Sequence, residues 1–298
     1  MVLDSLPPEF DPTFYSSFYE DLRDLDERAA STHYVAYGRN EGRSGNAIRT
    51  RADLLTLIPE KARVLEIGPY YSPLLRGENV RYIDIISREQ MIERANKEGH
   101  GAVDPPHIDY VSPTGNLSII KEKFDFAISS YCIEHQADLV RHLDAVQKCL
   151  NPGGRYFILS PDKRYCHDHF RAESTIAEVL DAYYGARRRH TLKEVIEHYG
   201  LNAHNDNFRH WDGDHGDPRE DRLNRLQLSI QAYLTAKNDL DVHSWYFTPD
   251  SMREILSDLG DLGLCKLKIE RCYDTRRPNN DFWMVLRSPS KSIRPKES

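Results

Sequence analysis

Short apolar runs that close on an acid or a small polar residue recur through the middle of the chain. The run 63–67 leads into Gly68, and the run 81–85 carries Asp84 near its end. Short runs rich in branched and aromatic side chains are typical of buried strands, and helical patterns separate these runs. We predict strands near 63–67, 81–85, 108–111, 124–129 and 154–160, and helices at 47–57, 88–97 and 137–150. Such alternation predicts a parallel sheet covered by helices on both faces.

The alternation stops after residue 160 and resumes near residue 247. Thr248 is a suitable N-cap and Pro249 a suitable first residue for a further helix, and strands near 264–272 and 282–287 complete the sheet. We predict an α/β fold: a Rossmann-like, seven-stranded, doubly wound sheet with a small N-terminal helical module and a mostly helical insertion after strand five. The predicted divisions are the module at 1–46, the core at 47–160, an inserted cap at 161–246, and the last helix and two strands at 247–298.

Aromatic side chains follow a helical spacing near the start of the chain. Gly38 and Gly42 follow this stripe and mark the end of a helical hairpin. The stripe consists of Phe10, Phe14, Tyr15, Phe18 and Tyr19. We predict that it packs on the main domain, with docking onto a glycan or a biosynthetic partner as the alternative.

The turn after the first predicted strand indicates a nucleoside ligand. In an open α/β sheet the first strand-to-helix turn approaches the ligand, and an acid such as Asp84 at the next strand tip can bind a ribose diol. Gly68 is the one glycine in this turn, whereas a pyrophosphate cradle needs several. The pattern therefore favours S-adenosylmethionine, which carries no phosphate. An ordinary strand with a tight turn is the alternative.

Two later segments strengthen this interpretation. Residues 124–135 are a strand followed by Glu134 and His135, and 150–159 are a Leu-Asn-Pro-Gly-Gly turn that opens a strand. Together with the first two strands, they resemble the class I S-adenosylmethionine-dependent methyltransferases. The resemblance implies that Glu66, Gly68 and Pro69 contact the methionine part of the cofactor, and that Asp84 and Ile85 contact its ribose. It also implies that Asp109 and Tyr110 contact the adenine and that Ser129 and Ser130 lie near the sulfonium. For Asp109 a surface turn is the alternative.

A closer resemblance is to a bacterial subfamily associated with surface-polysaccharide and glycosyltransferase genes. It lies in residues 66–69, 161–171 and 241–249, while Tyr70 and Ser72 replace glycines of the wider family. Residues 9–46 resemble a module found beside glycosyltransferases, which implies a glycosyltransferase partner. The resemblance implies a sugar, nucleotide-sugar or glycan acceptor, bound between the inserted region and the sheet edge. The substrate contacts that we expect are Arg164, Tyr165, Arg171, Trp211 and Trp245.

Methyl transfer to a hydroxyl needs a base near neutral pKa. Three histidines can approach the carboxyl edge of the sheet: His135, His169 and His243, with Asp168 next to His169. We prefer His169 and His243, because they bracket the insertion; hydrogen bonding within the fold is the alternative for each. Residues 204–217 are rich in possible metal ligands but lack a recognised spacing, so we predict no metal ligand and do not favour a divalent ion.

Composition limits the binding partners and the cellular location that we expect. A net charge of −7 and a pI near 6.0 disfavour nucleic-acid binding. The basic run 187–190 is a solvated segment or a contact for an anionic acceptor. Five cysteines without a Cys-x-x-Cys pair argue against a disulfide framework and predict a cytoplasmic location. No membrane span is visible, and residues 1–8 lack the pattern of a secretion signal or anchor.

These features predict an S-adenosylmethionine-dependent methyltransferase that methylates an oxygen of a sugar, nucleotide-sugar or glycan in polysaccharide or glycoconjugate biosynthesis. Two alternatives remain open from the sequence. One is N- or O-methylation of a small metabolite. The other is a catalytically silent methyltransferase-like module that recruits a glycosyltransferase.

Overall fold

A computed structural model describes residues 6–7 and 9–290 of the chain. Seven strands form one sheet in the order β3-β2-β1-β4-β5-β7-β6. The strands are β1 Val64–Ile67, β2 Val80–Asp84, β3 Tyr110–Val111, β4 Phe124–Ser130, β5 Leu150–Pro161, β6 Lys268–Tyr273 and β7 Asp281–Arg287. All neighbours pair in parallel except β7, which runs antiparallel to both β5 and β6. The predicted fold class is confirmed.

Ten α-helices flank and extend the sheet within the described part of the chain. They are α1 Pro12–Phe18, α2 Glu27–His33, α3 Arg51–Leu55, α4 Arg88–Glu98, α5 Leu139–Cys149, α6 Ile176–Tyr184, α7 Leu192–Val195, α8 Asn207–Trp211, α9 Arg222–Thr235 and α10 Pro249–Asp261. Helices α6 to α9 make up the helical insertion after β5. The termini of the predicted outer divisions, residues 1–5, 8 and 291–298, lie outside the described residues.

Two apolar layers hold the sheet between its helices. Successive side chains of a strand point to opposite faces, so Leu65 of β1 joins one layer and Val64 the other. The first layer includes helices α5 and α10, and the second includes Leu54 of α3 and Met91 of α4. Burial on both faces explains why these strands appear as continuous apolar runs in the sequence.

The structure changes three of the predicted boundaries. Strand β5 begins at Leu150, which pairs with Phe124, and a register shift near Phe124 absorbs the glycines that we had taken for a separate turn. Helix α3 covers only 51–55, because Thr50 and Asp53 form a capping box that starts the helix there. Strand β6 begins at Lys268 rather than near 264.

The N-terminal module forms a small aromatic core of its own. Tyr15, Leu22, Ala30 and Tyr34 are its buried members, and the ring of Phe10 stacks on Tyr34 at 4.6 Å. Much of the predicted aromatic stripe therefore faces inward. Phe18 remains exposed at its edge.

A buried carboxylate joins this module to the main domain. Asp274, just after β6, accepts hydrogen bonds from the Tyr34 hydroxyl at 3.1 Å and from Arg39 Nε at 2.8 Å. It also accepts one from Arg253 of α10 at 3.0 Å. One carboxylate thus connects the module, the last helix and the edge of the sheet.

Replacing Asp274 by Ala should lower the free energy of unfolding by about 2 to 4 kcal/mol, because two largely buried guanidinium groups lose their counter-ion. Chemical denaturation measures this change. Glu20→Ala is the control, because Glu20 pairs with Arg23 on an exposed surface and such pairs contribute little. Equal stability of the two variants would show that Asp274 does not anchor the module.

Candidate functional site

The carboxyl ends of β1, β2 and β4 lie side by side, because β1 pairs in parallel with both neighbours. In open α/β sheets the crevice outside such strand ends is where ligands bind. Gly68 follows β1 with φ of 69°, and its amide donates to Ile83 O of β2 at 2.9 Å. A Cβ on Gly68 would lie 3.3 Å from Cys132 Sγ in the loop after β4. A side chain here would be strained and crowded, so the position allows backbone to approach a ligand closely.

Tyr70 keeps the glycine-like bend of this turn without being a glycine. Its φ of 48° lies in the left-handed region, which costs a non-glycine residue about 1 to 2 kcal/mol. The Tyr70 ring stacks on Tyr71 with 3.8 Å between centroids, and the Tyr70 hydroxyl donates to that of Tyr71 at 3.0 Å. Arg94 of α4 lies over the Tyr70 ring. The turn therefore places an aromatic pair beside the crevice.

Two acids hold the turn in place. Glu66 is buried in β1 and accepts from the amides of Leu74 at 2.7 Å and Leu75 at 3.2 Å. Burial raises the pKa of Glu66 to about 7, although these two hydrogen bonds act in the opposite direction. The Glu66 carboxyl group thus anchors the far end of the turn, and Pro69, also buried, begins it.

Asp84 lies at the tip of β2, as the sequence predicted. Its Oδ1 accepts from the amide of Ile85 at 2.7 Å, and its Oδ2 accepts from the amide of Tyr70 at 3.4 Å. Desolvation raises its pKa, against the lowering effect of these amides. Asp84 therefore joins the tip of β2 to the turn after β1, with the exposed side chain of Ile85 beside it.

Strand β3 places its candidate residues differently. Asp109 lies just before β3. Its Oδ2 accepts a hydrogen bond from the Tyr82 amide at 2.9 Å, and its Oδ1 lies 3.5 Å from Arg81 Nε. The Tyr110 hydroxyl donates to Glu122. At the carboxyl end of β3, Ser112 donates its amide to Asp84 O at 2.8 Å, so it is nearer to the tip of β2 than Asp109 is.

The two serines at the end of β4 face different surroundings. Ser129 is fully buried, with its hydroxyl 2.7 Å from that of Tyr156. The same Tyr156 hydroxyl lies 3.0 Å from His142 Nε2. Ser130 is partly exposed at the edge. Because successive side chains alternate, only one of two adjacent serines can face the crevice.

The segment 242–247, which leads into α10, docks onto the loop after β4. The Ser244 amide donates to Glu134 O at 2.7 Å, and the Trp245 indole donates to Gln136 O at 2.6 Å. These bonds bring His243 against His135, with 4.6 Å between ring centroids. Trp245 is buried by this docking, so its ring supports the loop.

Each of these two histidines is held by a carboxylate. Nδ1 of His243 lies 2.6 Å from Asp168 Oδ2, and Nδ1 of His135 lies 2.8 Å from Asp241 Oδ1. Burial opposes ionisation of Asp168, but His243 outweighs it and lowers the Asp168 pKa to about 2. The nearby His135 likewise lowers the pKa of Asp241. The Nδ1 of His243 is therefore hydrogen-bonded to Asp168, whereas the Nδ1 of His135 lies close to a carboxylate oxygen of Asp241 without a well-aligned hydrogen bond.

Glu134 lies next to His135 in the loop after β4 and was not among the predicted site residues. Its side chain is fully buried, and neither carboxylate oxygen has a hydrogen-bond partner among the described residues. Burial raises its pKa to about 7, against the lowering effect of His135. Its place next to His135 after a predicted strand was the signal that could have identified it.

His169 lies in a different cluster from His135 and His243. Its Nδ1 is 2.8 Å from Arg164 O, and its ring stacks on His215 at 3.5 Å, beside His210. Tyr165 and Trp211 stack at 3.7 Å in the same region. Among the other predicted substrate contacts, Arg164 pairs with the buried Asp162 and Arg171 donates to Leu201 O. The structure thus divides the predicted acceptor residues between two places.

The comparisons with known proteins bear on this arrangement. Residues 39–260 match the family described as Methyltransferase domain. The chain belongs to this family. It is an S-adenosylmethionine-dependent methyltransferase, which confirms the predicted cofactor. No curated protein matches the sequence.

Several solved structures are similar to the chain. An S-adenosylmethionine-dependent methyltransferase from Methanosarcina mazei has 16% identity and a TM-score of 0.36, covering 80% of this chain and 97% of that one. One from Mesorhizobium loti has 16% identity and a TM-score of 0.40, with 79% and 96% covered. The N-methyltransferase NodS from Bradyrhizobium japonicum, in complex with S-adenosylhomocysteine, has 13% identity and a TM-score of 0.33, with 80% and 86% covered.

Within the described residues, no helix combines the length and the apolar character that crossing a lipid bilayer requires.

Replacing Asp84 by Ala should weaken S-adenosylmethionine binding by about 1 to 3 kcal/mol, because a charge-assisted contact to the ribose diol is lost. Calorimetric titration with the cofactor measures this. For Asp109→Asn we expect a smaller change, because the Asp109 carboxylate already accepts from Tyr82 within the sheet. An unchanged dissociation constant for the Asp84 variant would place the ribose elsewhere.

Proposed function

We propose that this methyltransferase transfers the methyl group of S-adenosylmethionine to a hydroxyl of a sugar, nucleotide-sugar or glycan in polysaccharide or glycoconjugate biosynthesis. In this proposal Gly68 and the turn anchored by Glu66 hold the methionine part of the cofactor, and Asp84 holds the ribose. Ser130 lies nearest to the sulfonium. The acceptor approaches from the side of the insertion.

The choice of an oxygen acceptor depends on one observation: His243 is paired with Asp168 beside the loop that follows β4. A neutral hydroxyl must lose its proton as it attacks the sulfonium carbon, whereas a neutral amine attacks without that help. An imidazole whose Nδ1 donates to a carboxylate presents its Nε2 as a base. His243 has this arrangement with Asp168, and it is buried beside the loop that follows β4.

In the simplest mechanism His243 Nε2 accepts the hydroxyl proton while the oxygen attacks the methyl carbon. The carbon–sulfur bond breaks, and neutral S-adenosylhomocysteine leaves. The positive charge of the sulfonium is thereby lost from the cofactor and appears on the imidazole, where Asp168 stabilises it. Most of the rate then comes from in-line placement of acceptor and methyl group.

The preference for a sugar is supported by the resemblance of residues 161–171 and 241–249 to a polysaccharide-associated subfamily. The Tyr165–Trp211 stack supports it too, because aromatic faces pack against sugar rings. Trp211 is held in place by its indole, which donates to Asn279 O at 2.7 Å. Arg164, beside this stack, is the cation that would meet the phosphate of a nucleotide-sugar. A glycosyltransferase partner for residues 9–46 belongs to the same proposal.

Incubation of the protein with methyl-labelled cofactor and a panel of nucleotide-sugars, bacterial glycans and small amines tests the acceptor class. We expect the mass of one methyl group to be added to an oxygen of a carbohydrate, as read by mass spectrometry with fragmentation. The boiled protein is the control. Methylation confined to amines would overturn the oxygen assignment, and methylation of a non-carbohydrate alcohol would overturn the sugar.

His243→Gln should lower the turnover number by about 10² to 10⁴, because the hydroxyl loses its activating group. Cofactor affinity should stay near the wild-type value, since the turn after β1 is untouched. His169→Gln is the matched control, because His169 lies in the other cluster and should affect turnover less. Release of S-adenosylhomocysteine measures both. A larger loss in the His169 variant would transfer the role to that residue.

A further inference from the structure

Three side chains that could ligate a metal ion meet where the docked segment contacts the loop after β4. Glu134, His135 and His243 each offer one ligand atom, and these atoms lie within 4.8 Å of one another. Glu134 and His135 are adjacent in the turn after β4. His243 comes from the segment whose Ser244 amide binds Glu134 O. The hydrogen bond that closes the fold here thus also assembles the cluster.

The carboxylate of Glu134 has no donor to satisfy it. It is 0% exposed, and both its oxygens lack a hydrogen-bond partner among the described residues. A buried charge without a partner is costly, and buried polar groups are nearly always satisfied. The side chain of His135 is nearby, with its Nε2 3.9 Å from Glu134 Oε1, which is too far for a hydrogen bond. A cation between these groups would satisfy Glu134.

The two imidazoles are oriented as metal ligands are. A histidine that ligates a metal commonly directs its other ring nitrogen to a carboxylate, which fixes the tautomer and the ring orientation. Asp168 contacts Nδ1 of His243 at 2.6 Å, and Asp241 contacts Nδ1 of His135 at 2.8 Å. The ring planes of His135 and His243 are nearly perpendicular, at 87°. The two Nε2 lone pairs therefore do not lie in parallel planes.

Two other clusters of the described residues fit a metal less well. The first of these clusters consists of His167, Asp168, His198 and His243. In it, Nδ1 of His198 accepts a hydrogen bond from the His243 amide at 3.1 Å. Binding a metal through Nε2 of His198 would require a proton on that Nδ1, and the hydrogen bond would be lost. In the other set, the rings of His169 and His215 are parallel at 3.5 Å, so one ion cannot lie in both ring planes.

We propose that Glu134, His135 and His243 bind one divalent transition-metal ion, with Asp168 and Asp241 orienting the two imidazoles. Two histidines and one carboxylate suit ions such as Mn²⁺, Fe²⁺, Co²⁺ or Zn²⁺ better than Mg²⁺ or Ca²⁺, which prefer oxygen ligands. Three protein ligands leave positions open for an acceptor. This proposal departs from the sequence prediction, which included no metal ligand.

The inference rests on the proposed function and changes the role of His243 within it. A bound cation lowers the pKa of an acceptor hydroxyl that coordinates to it. In this proposal the hydroxyl proton passes to water and the oxygen attacks the methyl carbon of the cofactor. The carbon–sulfur bond breaks, and neutral S-adenosylhomocysteine leaves. His243 holds the ion in place of taking the proton.

The test uses the full chain without an affinity tag, freed of metal by a chelator and titrated with Co²⁺ in the absence of cofactor and acceptor. We expect one equivalent bound, seen by visible absorption and by elemental analysis after gel filtration. Glu134→Gln should weaken binding at least tenfold. Asp241→Asn, which alters only the orienting carboxylate, should weaken it about 10- to 100-fold. His215→Ala is the matched control and should bind as the wild type does.

Circular dichroism shows whether each variant is folded, and Asp241→Asn stands in if Glu134→Gln is not. Absence of stoichiometric binding in the wild type overturns the metal site. Binding that is lost in the His215 variant and kept in the Glu134 variant also overturns it, because the ion then lies in the other cluster. Methyl transfer by metal-free protein overturns the part of the ion in the reaction and leaves His243 as the base. Stoichiometric Co²⁺ binding without methyl transfer to any hydroxyl overturns the proposed function and keeps the site.

Discussion

The docking of residues 242–247 onto the loop after β4 is the contact on which the cluster of Glu134, His135 and His243 depends. Three hydrogen bonds join the segment to the loop: the amides of Ser244 and Trp245 donate to Glu134 O, and the Trp245 indole donates to Gln136 O. The segment comes from the end of the insertion, whereas the loop belongs to the sheet. Because backbone groups form most of the contact, it places His243 without depending on the identity of the imidazole.

On the cofactor side, the equivalent constraint is the left-handed backbone of the turn after β1. Gly68 meets it freely, and Tyr70 meets it against an intrinsic cost. Glu66 at one end and Asp84 at the other hold this turn through amide hydrogen bonds. The turn is therefore held by buried carboxylates, and Tyr70 of the stacked tyrosine pair stands at a position where the resemblance to the wider family implies a glycine. The same side chains thus shape the crevice and support it.

The sequence predicted the sheet and the positions of Gly68 and Asp84 at its carboxyl edge well, because both arise from local patterns. Buried parallel strands produce apolar runs, and an acid at the tip of β2 or a glycine after β1 is visible as a single residue at a fixed place. It predicted β3 less well, since Asp109 and Ser112 lie in the same short segment and only pairing with β2 shows which one reaches the edge. Ser129 and Ser130 were similarly indistinguishable until the phase of β4 was known.

The sequence alone determined the fold class, the methyltransferase family and the presence of histidines and acids able to serve an acceptor. Tertiary structure alone decided which of them meet. His169 stands next to Asp168 in the sequence, yet the partner of Asp168 is His243, because the insertion folds back and its last segment bonds to the β4 loop. Glu134 gains its importance from burial without a donor. Such groupings depend on contacts between distant segments, and no local spacing of residues encodes them.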